Sequence, residues 1–258
     1  MDFQNPLVQS IAADRPAFGV AAETRSPIAV ETLGAIGFDF VWIDLEHGGP
    51  SPLDAPALDE LVRAATLAGA EPFVRLPSGE PHVIRKALDA GVRTLLVPRV
   101  ETAAEVERAA RATRYVYDGE PGDRGVGDGR DTRWGADLAG TTDDEEVCLG
   151  VMIETAGAVE NLESICAVPG LDFAFVGPAD LSVSLGRPLE TDHPEVRAAV
   201  SEVETTVAAS EIALGGIRND PAAAAAAIED GYRVLRVGGQ LAAAREALAE
   251  RLDAVRGE

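Results

Sequence analysis

Eight short apolar runs recur along this chain, each followed by a stretch of helical periodicity, and that alternation leaves few folds open. The runs are Phe18–Ala22, Phe40–Leu45, Pro72–Leu76, Thr94–Pro98, Cys148–Glu154, Asp172–Val176, Ala213–Gly215 and Arg233–Val237. Helical patterns follow them at Ile28–Ile36, Ala55–Ala68, His82–Ala90, Ala103–Ala112, Ala158–Ala167, Glu195–Ser210, Pro221–Glu229 and Gln240–Val255. Gly37, Gly69, Gly91, Gly170 and Gly231 stand where helices close before the next strand, which suits left-handed caps. Eight such units predict an α/β fold, a (β/α)8 TIM barrel forming one domain over residues 1–258. A doubly wound sheet usually needs fewer units in this length. The irregular part is Tyr115–Glu146, a Gly-, Asp- and Arg-rich insertion of a length that is usually functional or disordered.

Net charge is −22, from 44 acids against 22 bases. Such a surface repels nucleic acid and anionic membranes, so neither is an expected partner. The acids run along the whole chain, and Lys86 is the lone lysine, a balance that reads as solvation adapted to high salt, a halophilic trait. Cys148 and Cys166 form no metal-binding spacing and read as small buried residues. The N-terminus lacks a basic segment followed by an apolar one, and no apolar run reaches membrane-spanning length. A cytoplasmic protein is expected.

In a barrel, the C-terminal ends of the strands line the active site. The second run, FDFVWIDLEHGG over Phe38–Gly49, stops abruptly in Asp44, Glu46 and His47. The third ends near Arg75, the fifth at Glu154, and the sixth leads into Gly177-Pro178-Ala179-Asp180. Each has a bland alternative. Glu154 before Thr155 or Asp180 before Leu181-Ser182 could cap a helix, and Arg75 could be a buried ion-pair partner. Taken together they divide by role: acids for a cation, an arginine for an anion, a histidine for protons. Glu154 and Asp180 suit a hard divalent ion such as Mg2+ or Mn2+. Lys86 falls inside a helix, away from where a Schiff-base lysine would stand. His82 and His193 flank prolines at helix starts and receive no role. The GVGDGR segment at Gly125–Arg130 follows no strand and lacks both nucleotide-binding fingerprints.

Phe38–Gly49, PFVRLP (Pro72–Pro77), LVPRVETAAE (Leu96–Glu105), the MIET segment (Met152–Thr155) and AVPGLDFAFVGPADLSVSLG (Ala167–Gly186) together resemble the HpcH/HpaI aldolase family over nearly the whole chain. That resemblance implies a metal-dependent, class II aldolase acting on pyruvate, like 4-hydroxy-2-oxoheptanedioate aldolase or 2-dehydro-3-deoxyglucarate aldolase. It also implies a (β/α)8 barrel whose last helix packs on, or swaps with, a neighbouring subunit, typically in a hexamer. Residue by residue, Glu154 and Asp180 match the metal ligands, with Mg2+, Mn2+ or Co2+ as the cation. Arg75 matches the arginine that contacts pyruvate and its enolate. His47 matches the base, Asp44 the acid opening its motif, and Asp89 an acid that acts with that histidine. The backbone at Ala179 and Asp180 matches the site for the pyruvate carboxylate. Two departures stand out: Met152 where some members have glutamine in the substrate site, and Gly238-Gly239-Gln240 in place of a Gly-Ser-Asp type of segment.

The expected reaction is reversible cleavage of a 4-hydroxy-2-oxo acid into pyruvate and a small aldehyde. Two alternatives stand beside it: a CoA-ester lyase of the citrate-lyase-β type, and a non-catalytic metal-binding barrel. Arg124, Arg130 and Arg133 in the insertion are candidates to contact an acidic aldehyde, with surface ion pairing as their commoner use.

Overall fold

The computed structural model describes residues 4–130, 132–136 and 144–257. Positions 131 and 137–143 of the expected insertion lie outside the described residues. Eight parallel strands close into a barrel: β1 Ala17–Ala21, β2 Phe40–Asp44, β3 Glu71–Arg75, β4 Thr94–Val97, β5 Cys148–Ile153, β6 Phe173–Val176, β7 Ala213–Ile217 and β8 Tyr232–Gly239. Each pairs with its neighbour in sequence, and β8 returns to β1. All eight runs read from the sequence are strands of this barrel.

The helices are α1 Pro6–Ala12, α2 Pro27–Ala35, α3 Ala55–Leu67, α4 Pro81–Asp89, α5 Ala103–Thr113, α6 Ala156–Glu160, α7 Leu162–Cys166, α8 Pro178–Ser184, α9 Pro194–Ala208, α10 Pro221–Glu229 and α11 Gln240–Arg256. Gly37, Gly69, Gly91, Gly170 and Gly231 all have positive φ, as expected of left-handed caps. None of these helices is long and apolar enough to cross a membrane.

Strand alternation sorts the core into two layers. Val41, Ile43, Val74, Leu95, Leu149, Val151 and Leu235 face the helices. Phe40, Trp42, Phe73, Met152, Phe173, Phe175 and Val234 fill the barrel interior. The interior rings stack, Trp42 on Phe73 at 4.8 Å and Phe40 on Phe73 at 4.9 Å between centroids. Their bulk is matched by glycines on adjacent strands. A Cβ at Gly19 would fall 1.9 Å from the Phe40 ring, and one at Gly150 would fall 2.1 Å from that of Phe173.

Three local features depart from the expected pattern. The short α1 closes the N-terminal end of the barrel, with Leu7 buried in the interior cluster. Asn5 caps it and donates from Nδ2 to Thr94 Oγ1 at 3.0 Å, while that hydroxyl donates to Glu71. The expected Ala158–Ala167 helix is two pieces broken at Asn161, whose side chain donates to the Gly157 and Glu101 carbonyls. Polar Asn161 gains these two bonds by leaving helical geometry. The third feature is α8, a short helix directly after β6.

In the insertion, Arg130 pairs with Asp59 of α3 at 2.5 Å. Arg124 pairs with Asp144 at 3.3 Å and lies over the Tyr115 ring. Arg130 thus ties the insertion to α3, and Arg124 ties the two ends of the insertion to each other. Arg133 is exposed, close to the Trp134 and Arg130 pair.

Gly150→Ala tests the interior fit. With Phe173 fully buried, the added methyl has no room, and an unfolding free energy lower by about 1–3 kcal/mol is expected in urea titration.

Candidate active site

Asp44 and Arg75 are the last residues of adjacent strands and stand opposite each other in register. That register makes their pairing bidentate. Arg75 donates from Nε to Asp44 Oδ1 at 2.9 Å and from Nη2 to Oδ2 at 2.5 Å. Asp44 Oδ1 also accepts from the backbone N–H groups of Glu46 and His47, at 3.0 and 3.4 Å. The turn leaves Glu46 and His47 side by side, His47 Nε2 3.7 Å from Glu46 Oε2, but unequally exposed. The Glu46 side chain is 12% exposed and that of His47 66%.

Burial pushes the Asp44 carboxyl up, but Arg75 and the two N–H donors outweigh it and hold the group below its ordinary range. Burial lowers the Arg75 value, yet Asp44, Glu46 and Glu154 more than compensate and keep it firmly charged. The reading of Arg75 as an ion-pair partner therefore holds, and the pair stands at the C-terminal edge of the barrel.

Glu154 directly follows β5 and is 2% exposed. It does not cap the next helix. Thr155 does that, accepting from the Ala158 N–H, and Glu154 accepts instead from the Arg99 N–H at 2.8 Å. Arg99 has φ of +54°, a left-handed conformation that is uncommon outside glycine, on the loop after β4. Asp180 lies in the first turn of α8 without capping it, since Gly177 occupies the cap position. His193, in contrast, is a cap, accepting through Nδ1 from the Glu195 N–H.

The acids of the mouth sense one another. Burial raises Glu46, opposed by Arg75 and His47 and reinforced by Asp44 and Asp180. Burial raises Glu154 to about 7, opposed by the Arg99 N–H and Arg75 and reinforced by repulsion from Glu46 and Asp180. Glu46 Oε2 lies 3.0 Å from Arg75 Nη1 but off the line of a hydrogen bond, and among the described residues this buried oxygen has no hydrogen-bond partner. A Cβ at Gly177 would fall 3.1 Å from both Glu154 Oε2 and the Met152 methyl, so glycine there keeps a cradle open beside the carboxylate. Crowded oxygen donors with one orphaned atom and an open cradle fit a hard divalent cation. Among the described residues no three His, Cys, Asp or Glu side chains close on one point. Two carboxylates could hold such a cation while leaving positions for water and substrate oxygens.

Met152 sits beneath this group, its Sδ 3.8 Å from Arg75 Nη1. Asp89 does not join it. As the last residue of α4 it lies on the flank of the barrel, where its carbonyl accepts from the Arg130 N–H and its side chain lines a cleft with Asp59, Lys86 and Trp134.

Glu46 was read at the end of the second run with Asp44 and His47, without a role of its own. One mouth residue escaped sequence reading. Arg236 of β8 shares the inward parity of Val234, and its guanidinium lies 5.5 Å over the Trp42 ring. The usable signal was a charged residue alternating with apolar ones inside a barrel strand.

The HpcH/HpaI aldolase/citrate lyase family model matches residues 18–247. The chain is 40% identical over 228 residues to a hydroxypyruvate/pyruvate aldolase of Cupriavidus necator, covering 87% of this chain and 82% of that protein. It is 34% identical to a 2-keto-3-deoxy-L-rhamnonate aldolase of Klebsiella pneumoniae, over 96% of this chain and 92% of the relative. A crystal structure of a protein of the same family from Burkholderia cenocepacia superposes with a TM-score of 0.92 at 36% identity, covering 98% and 100% of the two chains.

The protonation of Glu154 predicts how a cation stabilises the fold. With its value raised from 4.5 to about 7, the folded chain holds a proton that the unfolded chain has lost. This contribution to stability therefore falls as pH rises from about 4.5 to 7. A cation needs the charged carboxylates and binds better above that window. The rise in Tm on saturating Mn2+ should be larger at pH 8 than at pH 6 and largely absent in Glu154→Gln. Equal increments at both pH values would contradict this.

Proposed function

The chain belongs to the HpcH/HpaI aldolase/citrate lyase family, and on that premise we propose that its barrel mouth reversibly cleaves a 4-hydroxy-2-oxo acid into pyruvate and an aldehyde. The observation that carries this reading is the convergence of Arg75, Glu46, Glu154 and Asp180 below a rim that presents His47. The names of the relatives, pyruvate and 2-keto-acid aldolases, support the same chemistry.

Glu154 and Asp180 would hold a divalent cation, Mg2+, Mn2+ or Co2+, which when bound would supply a Lewis acid for the negative charge developing on the keto oxygen. Arg75 directs its remaining N–H capacity at the same oxygen, already held in place by Asp44. Asp44 is thus a positioning residue. The first-turn N–H groups of Ala179 and Asp180 have no acceptor within the helix and suit the pyruvate carboxylate. Met152 and Gly177 line the floor beside it. His47 takes the proton from the C4 hydroxyl; the C3–C4 bond then breaks, its electrons pass to the pyruvate half as the enolate, and the aldehyde leaves. His47, now protonated, returns its proton to C3, directly or through a water, to complete pyruvate, and the reverse order forms the bond.

Asp89 lies away from the mouth of its own chain, so the pairing with His47 implied by the resemblance is made by a second copy. The outer helix supports such an assembly. In α11 no described residue is buried, and Leu241, Leu248, Leu252 and Val255 are exposed. A hexamer built through α11 gives both features a purpose. Leu248→Glu with Leu252→Glu should shift the protein to smaller species in light scattering and depress aldolase activity. The same large assembly in this double variant would exclude α11 from the interface.

A CoA-ester lyase needs a basic surface for the nucleotide, whereas Arg124 and Arg130 are engaged in ion pairs. Deuterium exchange into the pyruvate methyl group tests the donor half without knowledge of the aldehyde. In molar KCl, suited to this acidic surface, exchange should require added cation. Glu154→Gln and His47→Asn should each lower it by about 10²-fold or more. Turnover of CoA esters with no exchange into pyruvate would reverse the assignment.

A further inference from the structure

The mouth contains a second arginine that the reaction above leaves unused. Arg236 projects from β8 on the inward parity, and its guanidinium lies over the same Trp42 indole that Arg75 covers, at 5.5 and 5.6 Å from the ring centroid. Its Nε is buried and, among the described residues, has no hydrogen-bond partner. The acids that reach it electrostatically are Glu23 and Asp44, and both carboxylates are engaged elsewhere. Asp44 is bound bidentately by Arg75, and Glu23 accepts from the Leu241 N–H at the start of α11. Arg75 itself repels it. A half-buried guanidinium beside a like charge, with its Nε donor unused, is poised for an anion arriving from outside.

We propose that Arg236 binds a carboxylate on the aldehyde half of the substrate, making this enzyme selective for acidic aldehydes. The inference rests on the aldolase reading. The donor half is anchored across the barrel, by Glu154 after β5, Asp180 after β6 and Arg75 at the end of β3. Arg236 stands on β8, on the far side of β7 from those two acids, so it meets the partner added to the enolate. Above it the barrel opens, since a Cβ at Gly238 would meet nothing within 4 Å. Asp44, Glu46, Glu154 and Asp180 otherwise make the mouth hostile to a second anion, so an acidic aldehyde needs a cation of its own. The Gly238-Gly239-Gln240 departure leaves that approach free of side-chain bulk on β8.

The test compares acceptors in the cation-loaded enzyme. Succinic semialdehyde and glyoxylate carry the carboxylate, and propionaldehyde lacks it. Arg236→Gln should lower kcat/KM for the two acidic aldehydes by about 10- to 100-fold, mostly through KM, the range that one charged hydrogen-bonding contact supports. Propionaldehyde addition and pyruvate methyl exchange should stay within about 3-fold of wild type, and Arg236→Lys should recover part of the loss. In the wild type, succinate should compete with the aldehyde and not with pyruvate, a readout that needs no variant. Equal losses for acidic and neutral aldehydes, or competition of succinate with pyruvate, would overturn the assignment of Arg236 alone. Absence of pyruvate exchange in the wild type would overturn the aldolase reading and this inference with it.

Discussion

The ion pair between Asp44 and Arg75 is the interaction on which the mouth of this barrel depends. Adjacent parallel strands place the two residues in register, and the carboxylate spans the guanidinium with two hydrogen bonds. The same carboxylate turns the chain after β2 by accepting from the Glu46 and His47 N–H groups. One acid therefore orients the arginine, folds Glu46 inward and leaves His47 at the rim. Removing one partner of such a part-buried pair strands the other charge, which costs more than the pair itself contributes. A substitution at Asp44 is for this reason felt at Arg75, Glu46 and His47 together.

The second constraint is the surplus of acid around that pair. Asp44 stays ionised because Arg75 serves it, whereas part-buried Glu46 and buried Glu154 repel each other and Asp180. Like charges held this close are stable only if protonated or bridged by a cation. Glu71 shows the contrasting case at the other end of the barrel. Burial also raises it to about 7, but it accepts from the Thr94 hydroxyl and is sealed beneath α1, far from any open cradle. Similar shifts thus accompany a structural acid and a site acid, and geometry separates them.

Arg75 and Arg236 are distinguished by their partners in the same way. Both are inward-facing arginines over Trp42, and neighbouring chain satisfies only the first. The rings below them form a floor whose height is set by glycines on adjacent strands. The floor is rigid because those rings cannot move without entering space already filled.

Much of this was legible in the sequence. Short apolar runs ending in Asp44, Arg75 and Glu154 read as strands, and eight of them with intervening helices favoured a barrel over a doubly wound sheet. Strand ends then named the residues at the mouth, because the C-terminal edge of a parallel barrel is one surface. What the linear pattern left open were partnerships across strands. Glu154 and Asp180 each had a capping alternative that only the positions of Thr155 and Gly177 removed. Arg124 and Arg130 had a substrate-binding alternative that Asp144 and Asp59 removed. Asp89 looked adjacent in function and lies on the flank. The sequence alone determined the strands, the barrel and the chemical types at its mouth, since these follow from local periodicity. The tertiary structure alone decided which charges are paired, crowded or left open, since that depends on contacts between residues far apart in the chain.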